Sequence, residues 1–314
     1  MCYDKVGLWI SREFAKHDIN KMADRLNIGK VSEDIKTGIV TMSGTMKGMS
    51  LYIKPNGISI VGSLPKFLYD DNIHPLTRKT TGEAISALSE GLGFDISNAL
   101  VTGLEFGMNF PVSNPVSDYL LRLGELDRML RYKLSSSTLY YKPKGRKQPK
   151  VLCFYDKVAD AKVKGMPIPV GLEDTNLLKY ELRLKGRISH QLGVDNITAS
   201  TLSERCLYKK LITLYQSYYR AIYKQKQRNN GMNNIKKVSD AKEVFYGRLI
   251  NEKEQGLIGD FINELKSNGV FKHRSDYTKL KKELMETANK AGGWVEDELI
   301  KELDNDVMNL GAYI

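Results

Sequence analysis

The sequence predicts an α+β fold, an antiparallel sheet with helices packed on one face, followed by a small all-α C-terminal module. Three observations carry that expectation. Short apolar or alternating runs punctuated by glycine and Pro-Asn-Gly turns fill the first half of the chain. From Thr201 onward the apolar residues recur at helical spacing instead. A polar stretch, KQKQRNNGMNN over 224–234, reads as a linker. The 314 residues therefore divide into a domain over 1–223, the linker, and a helical region over 235–314.

The elements follow in order. GIVTMSG (38–44), MSLYIKP (49–55) and GISIVGS (57–63) form a hairpin meander. TTGEAISALSEG (80–91) is a helix with a threonine cap, an apolar stripe of Ile85, Leu88 and Leu92, and a stop at Gly91 and Gly93. LVTGLEFGMNF (100–110) is a strand, and Asn114-Pro115 opens a helix that reads PVSDYLLRLGEL. STLYYK and VLCFYDK pair as a hairpin across the basic loop KPKGRKQPK, and LLKYELRLKG (177–186) is a further strand. Thr201 and Glu204 have capping-box spacing ahead of a helix striped by Leu207, Leu211, Tyr215, Tyr218 and Ile222. Beyond the linker only helical patterns occur, such as DAKEVFYGRLI and WVEDELIKEL.

The formal net charge is +11, an excess that points to a polyanionic partner, most often nucleic acid. Three cysteines, Cys2, Cys153 and Cys206, stand at no metal-ligand spacing and suggest a reducing compartment, with Cys153 a small core residue. The first residues, MCYDKVGLWISREF, lack the features of a signal peptide, and no run approaches a membrane span, so a cytoplasmic protein with no membrane partner is expected. The histidines His17, His74, His190 and His273 are scattered and read as structural or surface residues.

Strand parity then sorts the side chains. Leu104, Phe106, Met108 and Phe110 share an apolar face, and Glu105, Gly107 and Asn109 share the other. Leu178, Tyr180, Leu182 and Leu184 face inward while Lys179, Glu181, Arg183 and Lys185 face outward. Tyr155 and Lys157 fall together with Val151 and Cys153. A solvated, salt-bridged strand face accounts for either glutamate alone. Glu105 is more pointed, because Gly103 and Gly107 flank it and leave bare backbone where a metal ion or phosphate could approach; a bend or bulge fits those glycines equally well.

Assembled on one face, these groups define a chemistry. Tyrosine is a poor nucleophile near neutral pH, since its pKa is about 10. A Mg²⁺ or Mn²⁺ ion held by Glu105 and Glu181 would present a scissile phosphate to Tyr155, and Lys157, roughly 7 Å along the strand, would stabilise the developing charge. Lys142, Lys144, Arg146, Lys147 and Lys150 crowd the preceding loop beside Tyr140 and Tyr141, with Arg183 and Lys185 on the neighbouring strand. Cations interleaved with aromatics suit a single-stranded backbone with stackable bases; a solvated hairpin loop is the plainer account.

The ordered series GSLPKFLYDDNIHPLTRKT, VTGLEFGMNF, LYYK…VLCFYDKV and LKYELRLKGRISHQLG resembles the replication proteins of filamentous-type phages, the gene II/X family with its CRI group, over about residues 45–220. The resemblance implies a rolling-circle initiator nuclease-like fold in a bacterial host cell, nicking origin DNA and working on duplex and single strand. A host helicase is a separate candidate partner, for which a docking module is one of several readings of the unmatched 235–314 region. It implies Tyr155 as the nicking tyrosine, Lys157 as its lysine, and Glu105 and Glu181 as the acidic residues of the earlier and later strands. Where relatives read Arg-aliphatic-Asp, this chain has Gly103-Leu104-Glu105, without the arginine and with a longer acid. A relaxase of a mobilisable element and a non-catalytic single-stranded nucleic-acid-binding protein remain open as alternatives.

Overall fold

The computed structural model describes residues 2–11, 27–145, 148–224, 227–228, 236–252, 256–290, 294–295 and 297–310. It begins with a strand absent from the expectations, β1 (Cys2–Ser11). The expected meander follows as β3 (Val40–Met46), β4 (Met49–Lys54) and β5 (Gly57–Ser63), preceded by β2 (Asn27–Glu33). Helix α1 (Leu64–Tyr69) starts where the Ser63 side chain accepts the Lys66 N–H. Helix α2 (Arg78–Leu92) is capped by Thr77 and Thr80 acting reciprocally, three residues before the expected threonine cap, and it ends on Gly93 at φ 77°.

Next come β6 (Leu100–Pro111) and α3 (Val116–Arg122). The helix expected to run through Leu126 stops at Arg122, and Leu123–Leu126 becomes β7. Strands β8 (Met129–Ser135), β9 (Thr138–Pro143) and β10 (Lys150–Asp156) lead into α4 (Lys157–Val163). Then follow β11 (Leu177–Lys185), α5 (Ile188–Leu192) and α6 (Arg205–Ala221). The Thr201–Glu204 capping box does not form: Thr201 lies in a 3₁₀ turn and its hydroxyl bonds Thr198.

Ten strands make one antiparallel sheet in the order β2-β3-β4-β5-β1-β6-β11-β10-β9-β8, open at β2 and β8. Its parity is as expected. Leu104, Phe106 and Phe110, with Leu178, Tyr180 and Leu182 and with Leu152 and Phe154, share one core with Leu88 of α2 and Leu207, Leu211 and Tyr215 of α6. Phe154 and Tyr180 stack with ring centroids 4.2 Å apart, and the Tyr180 and Tyr215 hydroxyls each donate to the other's backbone carbonyl, at 3.1 and 3.0 Å. Those bonds let tyrosines serve as core residues, because a buried hydroxyl without a partner is costly. Helix α4 departs from the one-faced packing: its Val158 meets Ile73 and Leu177 on the opposite side of the sheet.

Of the expected linker, Lys224 closes β12 (Ile222–Lys224) and Gln227–Arg228 forms β13; its other residues lie outside the described ones. Strand β13 pairs with β14 (Trp294–Val295), so the region after 235 is helical but not purely so. Helix α9 (Arg274–Lys290) packs against both α7 (Val238–Glu252) and α8 (Leu257–Ser267). Helix α10 (Glu298–Met308) instead adds Ile300, Leu303 and Val307 to the sheet's own core. It is pinned there by Arg122 Nε on Asp297 Oδ2 at 2.6 Å, by Gln216 on the Val307 and Met308 carbonyls, and by Tyr119 on Glu302. Among the described residues no helix is long and apolar enough to cross a membrane.

Candidate active site

The second face of the sheet carries the polar residues, and register sets them side by side. Glu181 of β11 stands opposite Cys153 of β10 and Gly107 of β6; Lys179 stands opposite Tyr155 and Asn109; Arg183 stands opposite Glu105. Strand β1 adds Asp4, turned to this face by an irregularity between Tyr3 and Lys5 in its pairing with β6. The expected outward, solvated face is in fact largely buried: Lys157 and Lys179 are 0% exposed and Glu181 1%. Helix α4 and the Ile73–Val158–Leu177 cluster cover that end of it.

The Tyr155 hydroxyl donates to Glu181 Oε1 at 2.7 Å. Glu181 Oε2 accepts from Arg183 Nε at 3.0 Å and from a terminal guanidinium nitrogen at 2.7 Å. Arg183 Nε is 3.9 Å from Glu105 Oε2. Lys179 Nζ lies 3.4 Å from Asp4 Oδ2, while Asp4 Oδ1 faces Ser63 and Asn72. Lys157 is not a strand residue: the Asp156 carboxylate accepts the Ala159 N–H at 2.9 Å, caps α4 and ends β10. From the first turn of α4, Lys157 Nζ donates to Asn72 Oδ1 at 2.9 Å and sits 6.0 Å from the Tyr155 ring centroid.

Burial sets the electrostatics. It raises the Tyr155 pKa well above 10, and the nearby Glu181 charge raises it further. Burial also lifts the Glu181 carboxyl above the usual carboxylate range, reinforced by Asp4. Burial opposes the Asp4 charge too, but Lys179 and then Lys157 outweigh it and bring that carboxyl down to about 2. The Lys157 ammonium is pushed down by burial and by Lys179. Cys153 behaves as the expected core residue, its thiol raised to about 12 by burial.

The residues present do not fit the expected Mg²⁺ or Mn²⁺ ion. Both Glu181 oxygens are engaged, and the Arg183 guanidinium stands between Glu181 and Glu105, where a bridging dication would sit. Asp4, Glu105 and Glu181 are matched by Lys157, Lys179 and Arg183, so the cluster is balanced without a further cation. Among the described residues no group of three or more His, Cys, Asp or Glu side chains could hold a metal ion. Nor does Gly107 leave room for one: a Cβ there would come 2.5 Å from the Tyr180 carbonyl oxygen and 3.1 Å from Glu181 Cγ. The missing side chain admits the neighbouring strand and the Glu181 stem. Gly103 is less constrained, its nearest neighbour being Gly7 N at 3.8 Å.

The expected basic and aromatic residues separate. Tyr140 and Lys142 are on the polar face, with Lys142 Nζ 4.7 Å from the Tyr140 ring centroid and Arg183 Cζ 5.9 Å from it. Tyr132 of β8, unforeseen and 58% exposed, completes this platform 5.7 Å from Lys142. Lys185 shares the face and is exposed. Tyr141 does not belong with them: it is fully buried in the core, its hydroxyl donating to the Gly124 carbonyl at 2.7 Å. Lys150 points to the helical side, onto Tyr218. Lys144 reaches Asn263 of α8 at 3.4 Å. Arg146 and Lys147 lie outside the described residues.

Asp4, Lys179 and Asn72 complete the cluster but were not among the expected site residues. Lys179 was legible, since it shares the parity of Glu181. Of the histidines, His74 bonds Asp71 at 2.7 Å, and His17 lies outside the described residues. No protein-family model matches the chain, and no curated protein matches its sequence.

Proposed function

We propose that the chain is a DNA strand-nicking and rejoining protein of the rolling-circle initiator type, with Tyr155 as nucleophile and Glu181 as the base. The observation that carries the reading is the 2.7 Å hydrogen bond from the Tyr155 hydroxyl to Glu181 Oε1, with Arg183 holding the other carboxylate oxygen. In the step, the phenolic oxygen attacks the scissile phosphorus and passes its proton to Glu181. A Tyr155 O–P bond forms and the P–O3′ bond breaks. The departing 3′-oxygen takes a proton from Lys157, whose ammonium is made more acidic by burial and Lys179. The 5′-phosphotyrosine keeps the phosphoester for reversal by a 3′-hydroxyl. Removing the phenolic proton as the O–P bond forms avoids a free phenolate, which the buried site disfavours.

The resemblance to gene II/X-type proteins supports the same reading, with origin DNA as the partner in a bacterial cytoplasm and a host helicase as a further candidate partner of the C-terminal region. The test is incubation with supercoiled DNA carrying the replicon's origin, followed by denaturing separation of protein–DNA adducts. Wild type is expected to nick and to carry covalent DNA, and Tyr155→Phe to do neither; equal nicking by the variant overturns the assignment.

A second reading, a non-catalytic single-strand-binding protein, draws on one observation: Tyr155 is 9% exposed while Tyr132, two strands away on the sheet edge, stands open. That reading predicts salt-sensitive binding through Tyr132, Tyr140 and Lys142 with no adduct under any condition.

A further inference from the structure

Two residues beyond Lys142, the chain leaves the platform and lines a separate cleft of about 630 Å³ between the β7–β8–β9 edge and helices α8 and α9. Lys144 comes from the residue just after β9, Lys266 from α8, Arg274 and Lys281 from α9, and Arg128 from the β7–β8 turn. Acids are present as well: Lys281 Nζ lies 3.7 Å from Asp127 Oδ1, and Glu125 and Asp260 line the wall. Around Lys266 the balance is positive. Burial is the largest cause pushing its ammonium pKa down, and the charges of Lys144, Lys281 and Arg274 all push it further the same way. Like charges gathered from separate segments repel, and an anion between them relieves that repulsion.

The position of the cleft indicates which anion. Strand β8 is one of the two edges of the sheet. Tyr132 and Tyr140 of the hairpin face one side of that edge, while Arg131 turns to the other and donates to the Leu120 and Leu123 carbonyls. A strand lying across Tyr132 and Tyr140 and bending over the edge meets the cleft next.

We propose that this cleft holds the phosphodiester backbone of the nucleic-acid segment continuing past the Tyr132–Tyr140 platform, as an anchoring site apart from Tyr155. It rests on nucleic acid being the partner in the proposed function, and not on the chemistry at Tyr155.

The test is the salt dependence of binding a labelled single-stranded oligonucleotide to the full chain, in a Tyr155→Phe background so that no adduct contributes. Lys266→Gln/Arg274→Gln is expected to reduce the slope of log K against log salt by about 1.4, two contacts at about 0.7 each. A control pair, Lys36→Gln/Lys79→Gln, both exposed in other parts of the fold, should leave the slope unchanged. An unchanged slope in the cleft variant, or an equal fall in the control, overturns the proposal. So does saturable thermal protection by inorganic tripolyphosphate that the cleft variant loses while its DNA binding stays intact, because the cleft would then serve a small polyphosphate. A reduced slope together with no adduct from wild type keeps the cleft and removes the nickase reading; an adduct with an unchanged slope does the reverse.

Discussion

At the residue scale, Glu181 is the side chain on which the others converge. Glu181→Gln keeps the shape but cannot take the phenolic proton, so adduct formation should fall 10²–10⁴-fold in single-turnover nicking. Because Glu181 must be ionised and its pKa is raised by burial and by Asp4, the acid limb of the rate profile should lie above the ordinary carboxylate value of about 4.3, with activity rising as pH increases through it. Chelation supplies a separate check. With Arg183 between the carboxylates, EDTA should leave adduct yield unchanged; a large loss rescued by Mg²⁺ would show that an ion displaces the guanidinium. Asp4 contributes to stability in the opposite sense to Glu181. Its folded pKa is depressed to about 2, so its contribution is present above the unfolded value of about 3.9 and is lost as pH falls through about 2. Asp4→Asn, which removes the carboxylate beside buried Lys179, should cost about 3–5 kcal/mol in urea unfolding near neutral pH, and the gap to wild type should narrow across that acid window. Tyr155, Glu105 and Glu181 were legible because parity needs nothing beyond an unbroken strand. Asp4 was not. Strict alternation puts it with Val6 and Leu8 in the core, and the irregularity between Tyr3 and Lys5 that reverses this has no local signal in CYDKVG.

At the scale of elements, the junction of β6 and β11 depends on Gly107. Gly107→Ala brings a methyl group within 2.5 Å of a backbone oxygen and should destabilise by about 1–3 kcal/mol, whereas Gly103→Ala, with 3.8 Å of clearance, should stay within about 0.5 kcal/mol. Comparable losses in the two denaturant midpoints would show that strand spacing there is not the constraint. Composition showed glycine at both positions but not which one a neighbour approaches. Other elements diverged for related reasons. PVSDYLLRLGEL has helical spacing throughout, yet LGEL pairs with β12, a partner about 100 residues away whose hydrogen bonds outweigh local propensity. Thr201 and Glu204 have capping-box spacing, but the Thr201 hydroxyl is taken by Thr198.

At the scale of the whole molecule, α10 joins the end of the described chain to its middle. Asp297 is buried, caps α10 and pairs with Arg122, so Arg122→Ala should cost about 3–5 kcal/mol and lower the thermal midpoint. An unchanged midpoint would mean that the apolar contacts of Ile300, Leu303 and Val307 hold the helix unaided. Its apolar stripe was visible in DELIKEL as a helical pattern; its destination was not, because periodicity shows that a face will be buried and not against what. This docking also imposes a timetable on synthesis. Tyr219 of α6 lies beside Asp304 of α10, and 88 residues (307 − 219) separate it from Val307. At about 5–20 residues per second, the nascent chain exposes the apolar face of α6 for roughly 4–18 s before its cover leaves the ribosome. A messenger truncated ahead of residue 297 would thus release a sheet with an open seam, a substrate for chaperones and proteases.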